Sequence, residues 1–347
     1  MRFFCAILFL ALATVCLKAE TQPSAAQQKF AGELIGIVAG LEKKSAAAVA
    51  GIDGWLFFGG DLRLLSLGHF WGADAVKVSR AHKGELADPL PAILDFHQQL
   101  RAHGIELLVV PVPPKAAIYP DKIVAGFDVR ASDPSAELHQ FYKELSSAGV
   151  EVLDLSDLFV QNRENARGPV FCKTDSHWSG VGCALASQAI AEKVRAKIAG
   201  TGASGEFVAE WKEVQIAGDL DGLLAKDAPK PGPEKIALQN VSRKNGAAVE
   251  PDPNSPLLLL GDSHTLVYHD FLSERAGLVD QLALQLGFAP DLIGTRGSGA
   301  TPVRINLYRH STKDPAYLAK KKVVVWCFAA REFTEATEGW AKVPLAK

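Results

Sequence analysis

Three short segments of this chain hold residue types that can do chemistry together. Ser263 lies in GDSH, just past the leucine run 257–260. A hydroxyl at the carboxyl end of a buried parallel strand projects into the crevice where α/β proteins bind ligands. Gly261 permits a tight turn, and a following helix would aim backbone N–H groups at an oxyanion. Alone, GDS is weak, because a serine that caps the next helix reads the same way. The second segment is KTDSHWS, residues 173–179, with Asp175 and His177 two apart. A serine hydroxyl near neutral pH is a poor nucleophile and needs a base. Histidine serves if a carboxylate fixes its tautomer and stabilises the imidazolium, and a D-x-H spacing lets one loop aim both side chains the same way. The plainer reading is a helix cap at Thr174 or Asp175 beside a surface histidine. In the third segment, GTRGSGATPVR at 294–304, Gly297 and Gly299 can offer N–H groups to an oxyanion, or simply make a flexible loop. No ligand-spaced cluster supports a metal site, and no Walker loop, GxSxG elbow or GxGxxG motif is present. No nucleotide or organic cofactor is indicated.

The elements that must carry these segments alternate. Spaced apolar residues from Phe30 to Leu41 predict a leading amphipathic helix within 24–50, and GIDGWLFF then predicts a turn and a strand. A helix is expected over 89–103, a buried strand at IELLVVPVPP, a helix over 133–148 and a strand at EVLDLSDLF. Residues 178–199 predict a long Ala-rich helix. The Gly-, Pro- and Lys-rich stretch 200–255 reads as an excursion of short strands and loops. Then SPLLLLGDSH predicts a strand, 266–276 a helix, PDLIG a strand and KKVVVWCFAAREF a further buried strand. The alternation marks an α/β domain with a parallel sheet.

Apolar residues make up 48% of the 347 positions, too many for a disordered chain. Mixed charges with a net of -2 leave no basic stripe for nucleic acid. Arg2 and an apolar run of about fifteen residues to Leu17 predict a signal peptide over 1–19; a spanning helix wants roughly twenty. Export leaves Cys172, Cys183 and Cys327, of which Cys172 and Cys183 could be bridged; three buried thiols are the alternative.

Taken together, GDS after a strand plus D-x-H resembles the SGNH (GDSL) hydrolase superfamily. In most members the serine block comes first, whereas here D-x-H-W precedes Ser263. This order resembles the exported polysaccharide O-acetyltransferases of the AlgJ/AlgX family. DGWLFF at 53–58, VPVPPKAAIYPDKI at 110–123 and TDSHWS at 174–179 match it, and GDLDGLL at 218–224 and VVVWCFAAREF at 323–333 fit more loosely. The resemblance implies a three-layer α/β/α fold with a parallel sheet and permuted motif order, as one domain over 20–347 without the carbohydrate-binding module of AlgX-like members. It implies Ser263 as nucleophile, His177 as base and then acid, and Asp175 as its orienter. Gly297 or Gly299 would hold the oxyanion with the Ser263 N–H, and Lys115, Tyr119 and Arg331 would line the cleft, although Lys115 and Arg331 could equally form surface ion pairs. It further implies a periplasmic enzyme of a polysaccharide-export complex, with a membrane-bound O-acyltransferase as acetyl donor and a polysaccharide acceptor. The superfamily's oxyanion asparagine has no counterpart here, and His264 and His269 have no assigned role. A carbohydrate esterase would use the same residues; a glycan-binding scaffold would need exposed aromatics among Trp55, Phe57, Phe58, Trp71 and Trp178.

Overall fold

Two short strands follow the helix Ala25–Lys44. β1 (Ala48–Ala50) and β2 (Leu56–Phe58) pair antiparallel across a turn in which Asp53 and Gly54 take positive φ. The computed structural model describes residues 24–198 and 206–346, and the leader expected at 1–19 lies outside them. After the helix Pro89–Ala102 come β3 (Glu106–Val112), the helix Ala136–Ser147, β4 (Glu151–Val152) and the helix Gly180–Arg195. Asp88 caps the first of these, accepting from the N–H of Leu90, with proline in the first turn. A long antiparallel pair, β5 (Phe207–Ile216) and β6 (Glu234–Arg243), comes next. β7 (Leu257–Gly261), the helix Leu278–Leu286, β8 (Asp291–Gly294), the helix Thr301–Lys313 and β9 (Val323–Ala329) complete the order.

One sheet of five strands runs β4-β3-β9-β7-β8, and every neighbouring pair is parallel. Its centre is made of three short, strongly apolar runs, β3, β9 and β7. Every residue of β7 and β9 is buried, as expected for strands covered on both faces. Adjacent side chains of β9 show the two covering layers, since neighbours on a strand point to opposite faces. Trp326 packs against Phe96 of Pro89–Ala102 and Arg304 of Thr301–Lys313. Cys327 faces the other way, where the Cys183 thiol of Gly180–Arg195 acts on it electrostatically. The fold is therefore α/β, with the parallel sheet that the alternating pattern predicts.

Several expectations need correction. EVLDLSDLF forms only the two-residue β4 before turning into the helix Ser156–Gln161. The stretch 266–276 is not a helix: one turn ends at Leu266, and Tyr268, Leu272 and Arg275 then take positive φ, which no helix accommodates. The excursion contains a ribbon of ten paired positions per strand. Finally, Cys172, Cys183 and Cys327 are all buried free thiols. Cys172 lies 3.1 Å from the Tyr268 hydroxyl, while Cys183 Sγ points to the carbonyl of Ala276.

Candidate active site

Ser263 opens a single helical turn immediately after β7, and Asp262 caps that turn by accepting from the N–H of His264. Gly261 is required at the strand end, because a Cβ there would lie 1.8 Å from the carbonyl oxygen of Cys327. Across the crevice, the 172–178 loop folds back on itself: Phe171 pairs with Trp178, and the Cys172 N–H donates to the His177 carbonyl at 3.2 Å. Ser179, not Thr174 or Asp175, caps the following helix, accepting from Val181 and Gly182. Asp175 and His177 are thus left to face Ser263.

The three side chains form an unbroken line. His177 Nδ1 lies 2.7 Å from Asp175 Oδ1, and His177 Nε2 lies 2.7 Å from Ser263 Oγ. Burial pushes Asp175 up, but the hydrogen bond from His177 and its charge outweigh that and hold the carboxyl down at about 2. An ionised carboxylate only accepts, so Nδ1 carries the proton and Nε2 is left to accept from the Ser263 hydroxyl. The N–H of His177 donates to Oδ1 at 3.0 Å, and the N–H of Asp219 donates to Oδ2 at 3.0 Å. Both carboxylate oxygens are therefore fixed. Ser263 is the partly exposed member of the line; Asp175 and His177 are buried.

The loop holding Asp175 is anchored from outside its own segment. Asp219 accepts from the N–H of Ser176 at 2.7 Å and from its hydroxyl at 2.6 Å. Glu234, on β6, accepts from the N–H groups of Lys173 and Thr174 and from the Thr174 hydroxyl. Lys115 is 1% exposed, and its ammonium donates to the carbonyls of Leu56, Lys173 and Asp175 at 2.9, 3.3 and 2.6 Å. Burial lowers its pKa. Lys115 thus stands behind the loop, neither lining a cleft nor making a surface ion pair. Asp219 and Glu234 went unassigned in the sequence; the only signal was the GDLDGLL match. Gly218 in that match is required for close approach, since its Cβ would meet the Thr174 carbonyl oxygen at 2.1 Å.

Two further residues expected in the cleft have partners within the protein. The Tyr119 hydroxyl donates to the Arg163 carbonyl at 2.8 Å and accepts from the N–H of Val170 at 3.0 Å, pinning the strand-like approach to the loop. Arg331 pairs with Asp61 at 3.2 Å and lies over the Phe58 ring. Gly299 gives its N–H to Glu332 at 3.2 Å and accepts from the Trp326 indole at 2.8 Å, so its N–H is already engaged. Gly297 is exposed with φ +85. Burial and the neighbouring Asp262 push Glu332 up to about 8. Asp262 is itself pushed up by burial, yet the charge and hydrogen bond of His264 hold it at about 2. His264 is lowered by burial against the pull of Asp262, and its ring sits 4.8 Å from that of His177. His269 pairs with Asp280 at 3.0 Å.

For a cation, Asp175, His177 and Asp219 each offer one atom, all within 4.8 Å of one another. Those oxygens already accept the hydrogen bonds described above, and a metal would have to displace them. A large open groove of about 1310 Å³ lies elsewhere, beside the end of β4. Its His139 is pushed down by burial but held up at about 10 by Asp133 and Asp154. Neither Asp175, His177 nor Ser263 lines it.

The model of the family described as SGNH hydrolase-like domain, acetyltransferase AlgX, matches residues 48–329. This chain belongs to that family. A curated relative, the probable alginate O-acetylase AlgJ of Pseudomonas putida, is 27% identical over 257 residues. That match takes in 71% of this chain and 63% of the relative, so the chain spans less than two thirds of its length. The solved O-acetyltransferase domain of Pseudomonas putida AlgJ superposes with a TM-score of 0.62 at 24% identity, over 83% of this chain and 92% of that one. Pseudomonas aeruginosa AlgX superposes at 0.60 and 17% identity, over 88% of this chain and 66% of that one. These two likenesses show that the chain shares their fold, and the family model describes that domain as SGNH hydrolase-like.

Proposed function

We propose that this family member is a polysaccharide O-acetyltransferase working through an acetyl–Ser263 intermediate. The observation that carries the reading is the continuous Asp175–His177–Ser263 hydrogen-bonded line. His177 Nε2 takes the hydroxyl proton as Ser263 Oγ attacks the acetyl carbonyl carbon, and returns that proton to the leaving group. In the second half, an acceptor hydroxyl gives its proton to Nε2 and attacks the ester carbon. The Oγ–acetyl bond breaks, and Ser263 recovers the proton. Asp175 stays ionised and stabilises the imidazolium in both halves. The Ser263 N–H and the 294–300 loop at Gly297 would hold the oxyanion; Gly299 would serve only on releasing Glu332.

The relatives' names favour an alginate-like exopolysaccharide as acceptor. Residues 20–347 would act as one exported, periplasmic domain, receiving acetyl from a membrane-bound O-acyltransferase within a polysaccharide-export complex. A scaffold that binds glycans through its aromatics is disfavoured, because Trp55, Phe57, Trp71 and Trp178 are all buried. The test uses 4-nitrophenyl acetate as donor and an unacetylated alginate oligosaccharide as acceptor. Acetylated oligosaccharide formed by wild type and not by Ser263→Ala supports the transferase. Free acetate, unaffected by the oligosaccharide, would make the protein an esterase.

A further inference from the structure

Resting on that reading, we infer that Phe271, clamped by Arg296, is the wall that keeps water from the acetyl–Ser263 ester. Two nucleophiles compete for such an ester, and both must give a proton to His177 Nε2. Water is far more abundant than any sugar hydroxyl, so a transferase must keep the flank of that imidazole dry until an acceptor covers it. Phe271 occupies this flank: its ring centroid lies 5.6 Å from that of His177, edge to face at 72°.

The backbone around Phe271 is built to hold it there. Within eight residues, Tyr268, Leu272 and Arg275 take φ of 63, 62 and 63, conformations a side chain adopts only when its surroundings impose them. The surroundings do so here. The Tyr268 N–H donates to the Phe271 carbonyl at 2.9 Å, and that of Ala276 to the Tyr268 carbonyl at 2.9 Å. The Tyr268 hydroxyl donates to the Trp178 carbonyl at 2.9 Å, which ties this turn to the loop carrying His177. The Arg296 guanidinium stacks 4.2 Å from the Phe271 centroid and pairs with Asp270 at 3.0 Å. Arg296 comes from the loop after β8. Two neighbouring strands thus contribute one clamp. Phe271 touches no reacting atom by hydrogen bond; it is a positioning and shielding residue.

The step it governs is hydrolysis. Water gives a proton to Nε2, its oxygen bonds to the acetyl carbon, the Oγ–carbon bond breaks, and acetate leaves while Ser263 recovers the proton. The test follows this step without any acceptor. Protein acetylated with 4-nitrophenyl acetate is desalted, and loss of the adduct is timed by intact mass. Phe271→Ala should lose its acetyl about tenfold faster than wild type, Arg296→Ala by an intermediate factor, and Phe271→Leu at nearly the wild-type rate. Decay in Phe271→Ala that is unchanged or slower, with wild type forming the adduct, overturns the inference alone. If Phe271→Ala does not fold, the exposed Arg296→Ala decides in the same way. No Ser263-dependent adduct in wild type would overturn the reading beneath it as well.

Discussion

Ser263, His177 and Asp175 differ in how firmly each is held, and the difference predicts how each substitution should read. Asp175 accepts at both oxygens, and its carboxyl is held near 2. Asp175→Asn keeps the shape but no longer enforces the Nδ1–H tautomer. Turnover of 4-nitrophenyl acetate should fall by about 10³–10⁴ with little change in KM; a loss confined to KM would remove the orienting role. Lys115 makes a different kind of contribution. Its three carbonyl partners are interior groups; that of Lys173 also accepts from the N–H of Leu56 at 2.8 Å, so the substitution bears mainly on those of Leu56 and Asp175. Lys115→Met should cost about 2–5 kcal/mol in urea unfolding, as buried acceptors left unpaired do, and an unchanged midpoint would contradict this account. At this scale the sequence was informative where chemistry is local. A D-x-H spacing and a serine after an apolar run drew attention to Asp175, His177 and Ser263, and the family resemblance joined them into one candidate line. Lys115 and Tyr119 were noticed for the right segments but given the wrong surroundings, because burial of a polar tip is invisible in residue type.

Elements set the distance between those residues, and the legible ones were those with an extreme pattern. The runs of β3, β7 and β9 are buried on both faces and read as strands from composition alone. The β5–β6 ribbon was hidden because β5 buries only its two end residues and its sequence is mostly polar. Yet β6 and the loop before it anchor the Asp175 loop through Glu234 and Asp219. The one-turn helix at Ser263 and the left-handed positions after it were misread as a longer helix, since apolar spacing there reflects packing of a turn. The anchoring gives a test. Asp219→Ala should lower kcat by about 10–100-fold through misplacement of Asp175 and Ser176, with the adduct still forming on Ser263. Wild-type kcat in that variant would show that the excursion is not what positions the loop.

For the whole molecule, the charged groups buried against the sheet make stability depend on pH. Glu332 titrates near 8 in the folded protein against an ordinary 4.5. Its contribution is complete below about 4.5 and is lost as pH rises towards 8, because the unfolded chain gives up the proton first. Unfolding free energy should therefore fall by about 1.4 kcal/mol per pH unit across that window, and Glu332→Gln should flatten this slope. An identical slope in the variant would contradict the buried, protonated carboxyl. The three free thiols make a simpler prediction: the unfolding midpoint of the chain without residues 1–19 should not move when reductant is added, whereas a bridged Cys172–Cys183 pair would lower it. The central claim is that the Asp175–His177–Ser263 line makes Ser263 a nucleophile that carries acetyl. Intact-mass spectrometry of the protein after brief exposure to 4-nitrophenyl acetate tests it most directly. The account predicts one acetyl on wild type, mapped to Ser263 and missing from both Ser263→Ala and His177→Ala. An adduct of equal yield in Ser263→Ala, or none on folded wild type, would contradict it.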